Sequence, residues 1–352
     1  MKLFDTARGG IFPLEAGPTV TMYSCGITPY DSAHLGHAFV YLAFDVLQRR
    51  LRDAGHDTRC VRNVTDVDDD ILRKSREVGV HYLDLAAREM AKFDRDMSTL
   101  NLLPVYSEPR ATSAIPEILS IVEESFAKGV AYEVDGYVYF EVAKFPRFGQ
   151  VSHASRDEMI ALAAIHGGFP DDPRKRDPLD FILWQPSQAD EPAWDSRWGA
   201  GRPGGGRDLA FPHHECEAAQ SESVTGAPFV KTWMHIGLVG LDGTKMSKSL
   251  GNLVFVGDLA KEADAAAVRL ALLDHHYRHD WEWRHEDLTR AVSRLSTWRS
   301  SQSFSRTNDV LDGVRASLDD DLDTSNALRL IDDAAQSGYN VTSAATLLGI
   351  TL

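Results

Sequence analysis

The chain has 352 residues, 43% of them hydrophobic and 25% charged, the composition of a folded globular protein with room for two or three domains. Its 37 Lys and Arg stand against 52 Asp and Glu, a formal charge of −15, which argues against a broad basic surface as the main source of affinity for a phosphate backbone and leaves a local basic groove open. Three scattered cysteines, Cys25, Cys60 and Cys216, are too few for a disulfide framework, and no apolar run approaches the roughly 20 residues of a membrane span.

The opening MKLFDTARGG lacks the basic start and apolar block of a secretory signal, so a cytoplasmic location with free or metal-bound thiols is expected. PTVTMY over 18–23 predicts a strand that ends at Ser24-Cys25-Gly26, and a helical stripe begins at Ala38 and runs through Val40, Phe44, Leu47 and Leu51. Gly55 closes that helix and Thr58–Val64 predicts the next strand. The result is a βαβ unit of a parallel sheet, with its polar loop at a strand's C-terminal end, where ligands bind in such sheets.

Two helical patterns follow over 82–128, and 131–142 alternates around Asp135-Gly136, a hairpin signal. Residues 167–178 read as loop, Leu179–Trp184 as a buried strand, and 190–206 as a stretch thick with Gly, Pro and Trp. A helix over His213–Val224 and a strand around Trp233–Val239 complete a second α/β half, and the pattern beyond is helical to the end. The expectation is an α/β parallel-sheet nucleotide-binding fold in four parts: a first half over 1–104, a connective α+β insertion over 105–178, a second half over 179–255, and a helical region over 256–352.

Three constellations carry chemistry. His34-Leu35-Gly36-His37 sets two imidazoles where a loop enters a helix; N–H donors beside a helix N-terminus suit a polyphosphate, and the plainer reading is a pair of capping histidines. Asp242 to Ser249 carries Lys245 and Lys248 among small hydroxyl residues, able to follow negative charge onto a leaving pyrophosphate, or else simply a solvated basic turn. His213 has Cys216 three and Glu217 four residues on, one side of a helix if the helix starts there. They offer either ligands for one metal ion or a charged helix face.

HLGH and KMSKS resemble the two signatures of class I aminoacyl-tRNA synthetases, and CGITPYDSAHLGHA, NVTDVDDDIL, FPHHECEAAQSESVTG, GTKMSKSLGN and HYRHDWEW resemble the cysteinyl branch. CGITPYD with HLGHA is most similar to the cysteine ligases of mycothiol synthesis, which join cysteine to an inositol-linked glucosamine. The resemblance covers nearly the whole chain and implies a split Rossmann (HUP-like) fold. It also implies ATP-dependent formation of cysteinyl-AMP and transfer of cysteine to the amine of glucosaminyl-inositol. The partners would be cysteine, ATP and the amino sugar. Transfer RNA is not expected, because about 70 residues after Trp283 leave little room for an RNA-reading module. A truncated cysteinyl-tRNA synthetase and a non-catalytic nucleotide-binding paralogue are the other two readings.

The same resemblance implies roles. His34, His37, Lys245 and Lys248 would be catalytic. Cys25, Gly26, Ile27 and Thr28 with Asn63, Val64 and Thr65 would line the adenylate pocket; Gly206 and Asp208 would meet the ribose and Val239 the adenine. Cys25 and His213, with Glu217 or Cys216, would hold Zn2+. The family pattern breaks after Gly201–Gly204, where a tryptophan-histidine segment with a second zinc cysteine, and then a strand, is the rule; here Gly204 runs straight into Gly205-Gly206-Arg207-Asp208. Either the zinc is lost or relocated and the amino acid changed, or a deletion joins two glycine-rich ends. Ile165-His166-Gly167-Gly168 also departs from the ligases' acidic-basic pair before two glycines, and Val40 replaces a small hydroxyl residue.

Overall fold

The computed structural model describes residues 1–30, 34–204, 210–246, 251–306 and 309–352. The chain enters through an antiparallel hairpin of β1 (Lys2–Asp5) and β2 (Gly10–Pro13). The β-branched and aromatic run that follows forms β3 (Thr19–Ile27), then α1 (Leu35–Asp53) crosses to β4 (Asp57–Val64), parallel to β3 from Thr19↔Asp57 to Ile27↔Val64. The helix begins three residues before the expected Ala38 because His34 caps it, its Nδ1 accepting from Gly36 N at 3.1 Å. Two further helices, α2 (Asp69–Val78) and α3 (Tyr82–Thr99), lead to 107–110, which bridges β4 in parallel at Val61↔Ser107 and Val64↔Arg110. The polar α2 packs Ile71 and Leu72 against Leu85 and Ala86 of α3 and starts on its cap, the Asp68 carboxylate accepting from Ile71 N at 2.8 Å.

Next come α4 (Ile115–Ala127), the hairpin β5 (Ala131–Val134) and β6 (Tyr137–Phe140) about Asp135-Gly136, and α5 (Arg156–Ile165). Strands β7 (Phe181–Pro186) and β8 (Gly201–Pro203) join that hairpin in an antiparallel sheet of order β5-β6-β7-β8. A boundary at 178/179 therefore separates strands that pair, Val138 lying opposite Trp184. This sheet and its helices share a core of Val122, Val138, Phe140 and Trp184 that also takes in Phe211 and Ala219.

A turn over 210–214, non-helical at Phe211, leads into α6 (Glu215–Thr225), two residues later than the expected start at His213. The remaining strands are β9 (Val239–Leu241), β10 (Thr244–Lys245) and β11 (Trp281–Glu282), with α7 (Val256–Glu262) and α8 (Ala265–Leu273) between the last two. The strand expected over 233–239 starts only at Val239. Upstream the backbone makes isolated bonds, Thr6 N to Trp233 O at 2.9 Å and Gly237 N to Tyr277 O at 2.7 Å, and a ladder needs a continuous neighbour. Strand β9 pairs with β10 and β11, and among the described residues it shares no ladder with β3, so the parallel sheet stands in two pieces.

Helices α9 (His285–Ser300), α10 (Val310–Asp319), α11 (Thr324–Gln336) and α12 (Thr342–Leu347) close the chain. Helices α10 and α12 pack onto α1, α9 and α11 onto α8, and one core joins Leu35 and Leu42 to Leu270, Leu328 and Ile350. Its polar pin is the buried Arg269, which donates to Leu348 O at 2.8 Å and Leu100 O at 2.9 Å and forms an ion pair with Asp45, itself also bound by Arg49 at 2.7 Å. Among the described residues no helix is long and apolar enough to cross a membrane.

Removing one partner of a buried pair strands the other, at a cost of roughly 3–5 kcal/mol. Arg269→Ala should therefore lower the urea midpoint clearly, and Arg269→Ala combined with Asp45→Ala should cost less than the sum of the two single changes. Strict additivity would show that the two side chains do not act as a pair.

Candidate active site and metal cluster

The site begins where β3 meets β4. A Cβ on Gly26 would sit 1.4 Å from the Asn63 carbonyl oxygen, so only glycine fits, and Gly26 N donates to Asn63 Oδ1 at 2.7 Å. The register slips between Ser24 and Ile27, as a bulge does when it re-aims a side chain, and Cys25 lies at that slip. Asn63 Nδ2 donates to Thr65 Oγ1 at 3.2 Å, and the Tyr41 hydroxyl donates to Cys25 O at 3.0 Å. Of the expected pocket residues the structure thus brings together Cys25, Gly26, Asn63 and Thr65; Ile27 and Val64 are buried in the core behind them. Thr28 donates to the Asp68 carboxylate at 3.1 Å. Burial lifts that carboxyl to about 6.

Cys25, His213 and Glu217 each bring a ligand atom within 4.8 Å of the other two. His213 Nε2 is 3.2 Å from Glu217 Oε1, which also accepts from the Tyr23 hydroxyl at 2.9 Å. Burial, and then the nearby Glu217 and Cys25, push the Tyr23 phenol far above its ordinary range, so it stays a neutral donor. Glu217 Oε2 is buried and has no hydrogen-bond partner among the described residues. A thiol, an imidazole and a carboxylate with a spare buried oxygen fit a zinc ion. Cys216 does not join them: it lies outside the cluster on an α6 that starts at Glu215, and burial, then the Glu215 and Glu217 carboxylates, push its titration far up.

His214 is the residue the sequence reading passed over. Its Nε2 lies 3.1 Å from Cys25 Sγ and its Nδ1 2.7 Å from His235 Nε2, whose Nδ1 in turn lies 2.8 Å from Thr6 Oγ1. Burial lowers both imidazoles to about 4, so two neutral rings pass hydrogen bonds between Thr6 and Cys25 in one sense or the other. The doublet in FPHHECE and the WMH triplet were the available signals.

The start of α1 lies against the chain downstream of Lys245. The His34 and His37 rings have centroids 4.2 Å apart, and a Cβ on Gly36 would come within 2.8 Å of the His34 ring. His34 bridges Phe255, and Leu35 N donates to Val254 O at 2.9 Å, so the helix entrance abuts the chain just downstream of the lysine loop. Lys245 lies in β10, which pairs with β9 at Gly240, and the neighbouring Thr244 Oγ1 accepts from Asn252 Nδ2 at 3.0 Å. Val239 is buried, its carbonyl accepting from Met246 N at 3.3 Å. Lys248, Gly206 and Asp208 lie outside the described residues.

Residues 12–205 and 204–293 match the catalytic domain of class I (C) tRNA synthetases. The chain belongs to that family. It is 45% identical, over 94% of its length and 88% of the relative's, to the L-cysteine:1D-myo-inositol 2-amino-2-deoxy-alpha-D-glucopyranoside ligase of Streptosporangium roseum. It is 43% identical to the Thermobifida fusca protein of that name, over 100% of this chain and 95% of the relative. Among solved structures, Mycobacterium tuberculosis methionyl-tRNA synthetase bound by methionyl-adenylate is similar in fold, with a TM-score of 0.60 at 17% identity over 92% of this chain and 84% of that chain. The fold is thus the α/β nucleotide-binding fold of class I synthetases. The family match comes in two pieces that overlap at 204–205, the point where Gly204 runs straight into Gly205. The T. fusca alignment runs 394 positions against 352 residues here, a difference of 42.

Because the Asp68 carboxyl titrates near 6 when folded, against about 3.9 unfolded, the folded state binds that proton more tightly. Its stabilising contribution is complete below about pH 4 and is lost as pH rises through 6. Asp68→Asn keeps an acceptor for Ile71 N and removes the titration. The stability difference between wild type and variant should therefore drift by about 2 kcal/mol against the wild type from pH 4 to pH 7; a flat difference in urea melts across that range would place the carboxyl in water.

Proposed function

We propose that the chain is an ATP-dependent ligase that activates L-cysteine as cysteinyl-AMP and transfers the cysteinyl group to the amine of glucosaminyl-inositol, releasing pyrophosphate and then AMP. The observation that carries this is identity of 43 to 47% to ligases of that name, running nearly the length of the chain. In the first step the cysteine carboxylate attacks the α-phosphorus and pyrophosphate departs. In the second the sugar amine attacks the carbonyl carbon, AMP departs, and the amine loses a proton as the amide forms. No protein nucleophile is needed; positioning and charge stabilisation do the work.

In this reading His34 and His37, at the start of α1, donate to phosphate oxygens, while Lys245 and Lys248 follow the charge onto the leaving group. Cys25 to Thr28 and Asn63 to Thr65 line the adenylate pocket, with Gly206 and Asp208 at the ribose. Val239, whose side chain is committed to the core, meets adenine through its backbone. Cys25, His213 and Glu217 hold zinc, which when bound takes the substrate thiol as a thiolate at its open position and so favours cysteine over serine. Around this chemistry we place a split Rossmann, HUP-like catalytic domain in halves over 1–104 and 179–255, a connective insertion over 105–178 and a helical domain over 256–352. A cytoplasmic setting suits three free thiols, and the small-molecule acceptor is preferred to tRNA. The break at 204–205 favours a second reading, a nucleotide-binding paralogue that activates nothing.

Pyrophosphate exchange with each amino acid in turn separates the readings. Cysteine-dependent exchange supports the ligase, and Lys245→Ala and Lys248→Ala should each slow it more than tenfold, the effect of losing about 2 to 4 kcal/mol of transition-state stabilisation. Absence of exchange with any amino acid leaves the paralogue standing, and faster charging of bulk tRNA than of glucosaminyl-inositol replaces the acceptor. Zinc content of protein purified without chelator should fall in Cys25→Ser, His213→Ala and Glu217→Ala and hold in Cys216→Ser. Zinc that ignores the first three changes is bound elsewhere.

A further inference from the structure

His214, His235 and Thr6 take no part in the chemistry proposed above, yet they form one line that ends on the sulfur of the metal cluster. His214 Nε2 lies 3.1 Å from Cys25 Sγ, His214 Nδ1 lies 2.7 Å from His235 Nε2, and His235 Nδ1 lies 2.8 Å from Thr6 Oγ1. The far end is anchored by its backbone and its turn. Thr6 N donates to Trp233 O at 2.9 Å, Thr6 O accepts from His153 Nε2 at 3.0 Å, and the preceding Asp5 closes the turn by accepting from Arg8 Nε at 2.7 Å. The rings are seated as well: His235 lies parallel to Trp233 with centroids 6.2 Å apart, and His214 lies tilted against the same indole at 5.8 Å.

Proton counting decides which way this line runs once a metal is bound. A cysteine ligates a metal as a thiolate and has no proton to give. His214 Nε2 must then be the donor, which leaves Nδ1 of that neutral ring as an acceptor. His235 Nε2 donates to it in turn, and His235 Nδ1 accepts from the Thr6 hydroxyl. Every proton in the line is used, and each points toward Cys25. Glu217 has an outer donor of its own in the Tyr23 hydroxyl at 2.9 Å. Two ligands of the cluster are thus met from behind by groups that donate.

We propose that His214 is a positioning residue of the metal cluster: its Nε2–H donates to the Cys25 thiolate, and the line through His235 to the N-terminal hairpin fixes its tautomer and its aim. The ring supplies no ligand atom itself. It holds the sulfur where His213 and Glu217 converge and takes up part of the thiolate's charge, which an outer hydrogen bond does for any ligated anion. The proposal rests on the reading of Cys25, His213 and Glu217 as metal ligands and is independent of which amine receives the cysteine.

The test titrates the full chain, freed of metal, with Co2+ alone and follows the thiolate-to-cobalt charge-transfer band in the near ultraviolet. Wild type should show the band and Cys25→Ser should lose it. His214→Phe keeps a ring beside Trp233 and removes the donor. It should bind Co2+ about ten- to a hundredfold more weakly, with the band at longer wavelength, because a sulfur released from its hydrogen bond gives up charge more easily. His214→Gln, which returns an N–H near the Nε2 position, should recover most of both, and His235→Phe should move both toward the His214→Phe values. Wild-type affinity and band position in His214→Phe would overturn the proposal. So would a Gln variant no better than Phe, or a His235→Phe protein indistinguishable from wild type. A wild-type protein without a Cys25-dependent band overturns the metal reading of the cluster, and this proposal with it.

Discussion

The contact between Gly26 and Asn63 is the constraint from which the site follows. The two strands approach so closely there that the Asn63 carbonyl occupies the space of a side chain on Gly26, and the Asn63 amide oxygen takes the Gly26 N–H in place of a regular ladder bond. The pairing slips by a residue as a result, and the slip presents Cys25 to the cluster while Ser24 stays buried. The Asn63 amide oxygen also lies 3.1 Å from the Tyr23 hydroxyl, whose single proton goes to Glu217 at 2.9 Å, so one tyrosine beside that asparagine ties the strand crossing to a helix more than 150 residues further on. Substituting Gly26 would disturb the strand pairing and the donor cluster together.

A parallel sheet usually unites such a fold through its ladders, and among the described residues no ladder joins β3 to β9. Packing carries the connection instead. Val239 and Met246 of the second piece lie in the same core as Leu35 and Leu42 of α1, and Leu35 N reaches Val254 O across the gap. The C-terminal helices extend that core over the outside of α1, and Arg269 gathers the carbonyls of Leu100 and Leu348 and the Asp45 carboxylate at one buried point. A buried guanidinium tolerates few geometries, because each N–H must find an acceptor. It fixes how the helices seat in a way that apolar contacts alone do not.

What the sequence made legible was local. Alternation and the Asp135-Gly136 turn give the β5-β6 hairpin, and a histidine before an apolar stripe gives the α1 cap once its side chain is allowed to accept. The resemblance pointed to Cys25 and His213 and the spacing after His213 to Glu217 or Cys216; of those two it is Glu217 that converges with Cys25 and His213, on a helix that starts two residues later than expected. Long-range features stayed hidden. Nothing in 179–184 says that β7 pairs with β6, since a short apolar run serves a parallel or an antiparallel sheet equally. The contact of Thr6 with His235 spans 229 residues, and His214 reaches Cys25 across 189. No periodicity encodes contacts of that kind.

The donor set bears on how cysteine could be told from serine. Zinc is held most firmly by soft thiolates, and a shell of one thiol, one imidazole and one carboxylate is harder than a thiolate-rich one. A harder centre binds more weakly and prefers sulfur over oxygen less strongly, so discrimination would lean on whatever orients Cys25. Here the outer contacts matter. His214, fixed by His235 and Thr6, sits against the Cys25 sulfur, and Tyr23, kept neutral by burial, directs its proton to Glu217. If the ring sequence runs from Thr6 toward Cys25, His214 presents an N–H that steadies a thiolate. If it runs the other way, a lone pair faces the sulfur and accepts the thiol proton. Either sense holds the Cys25 sulfur against the His214 ring on the side facing His213 and Glu217.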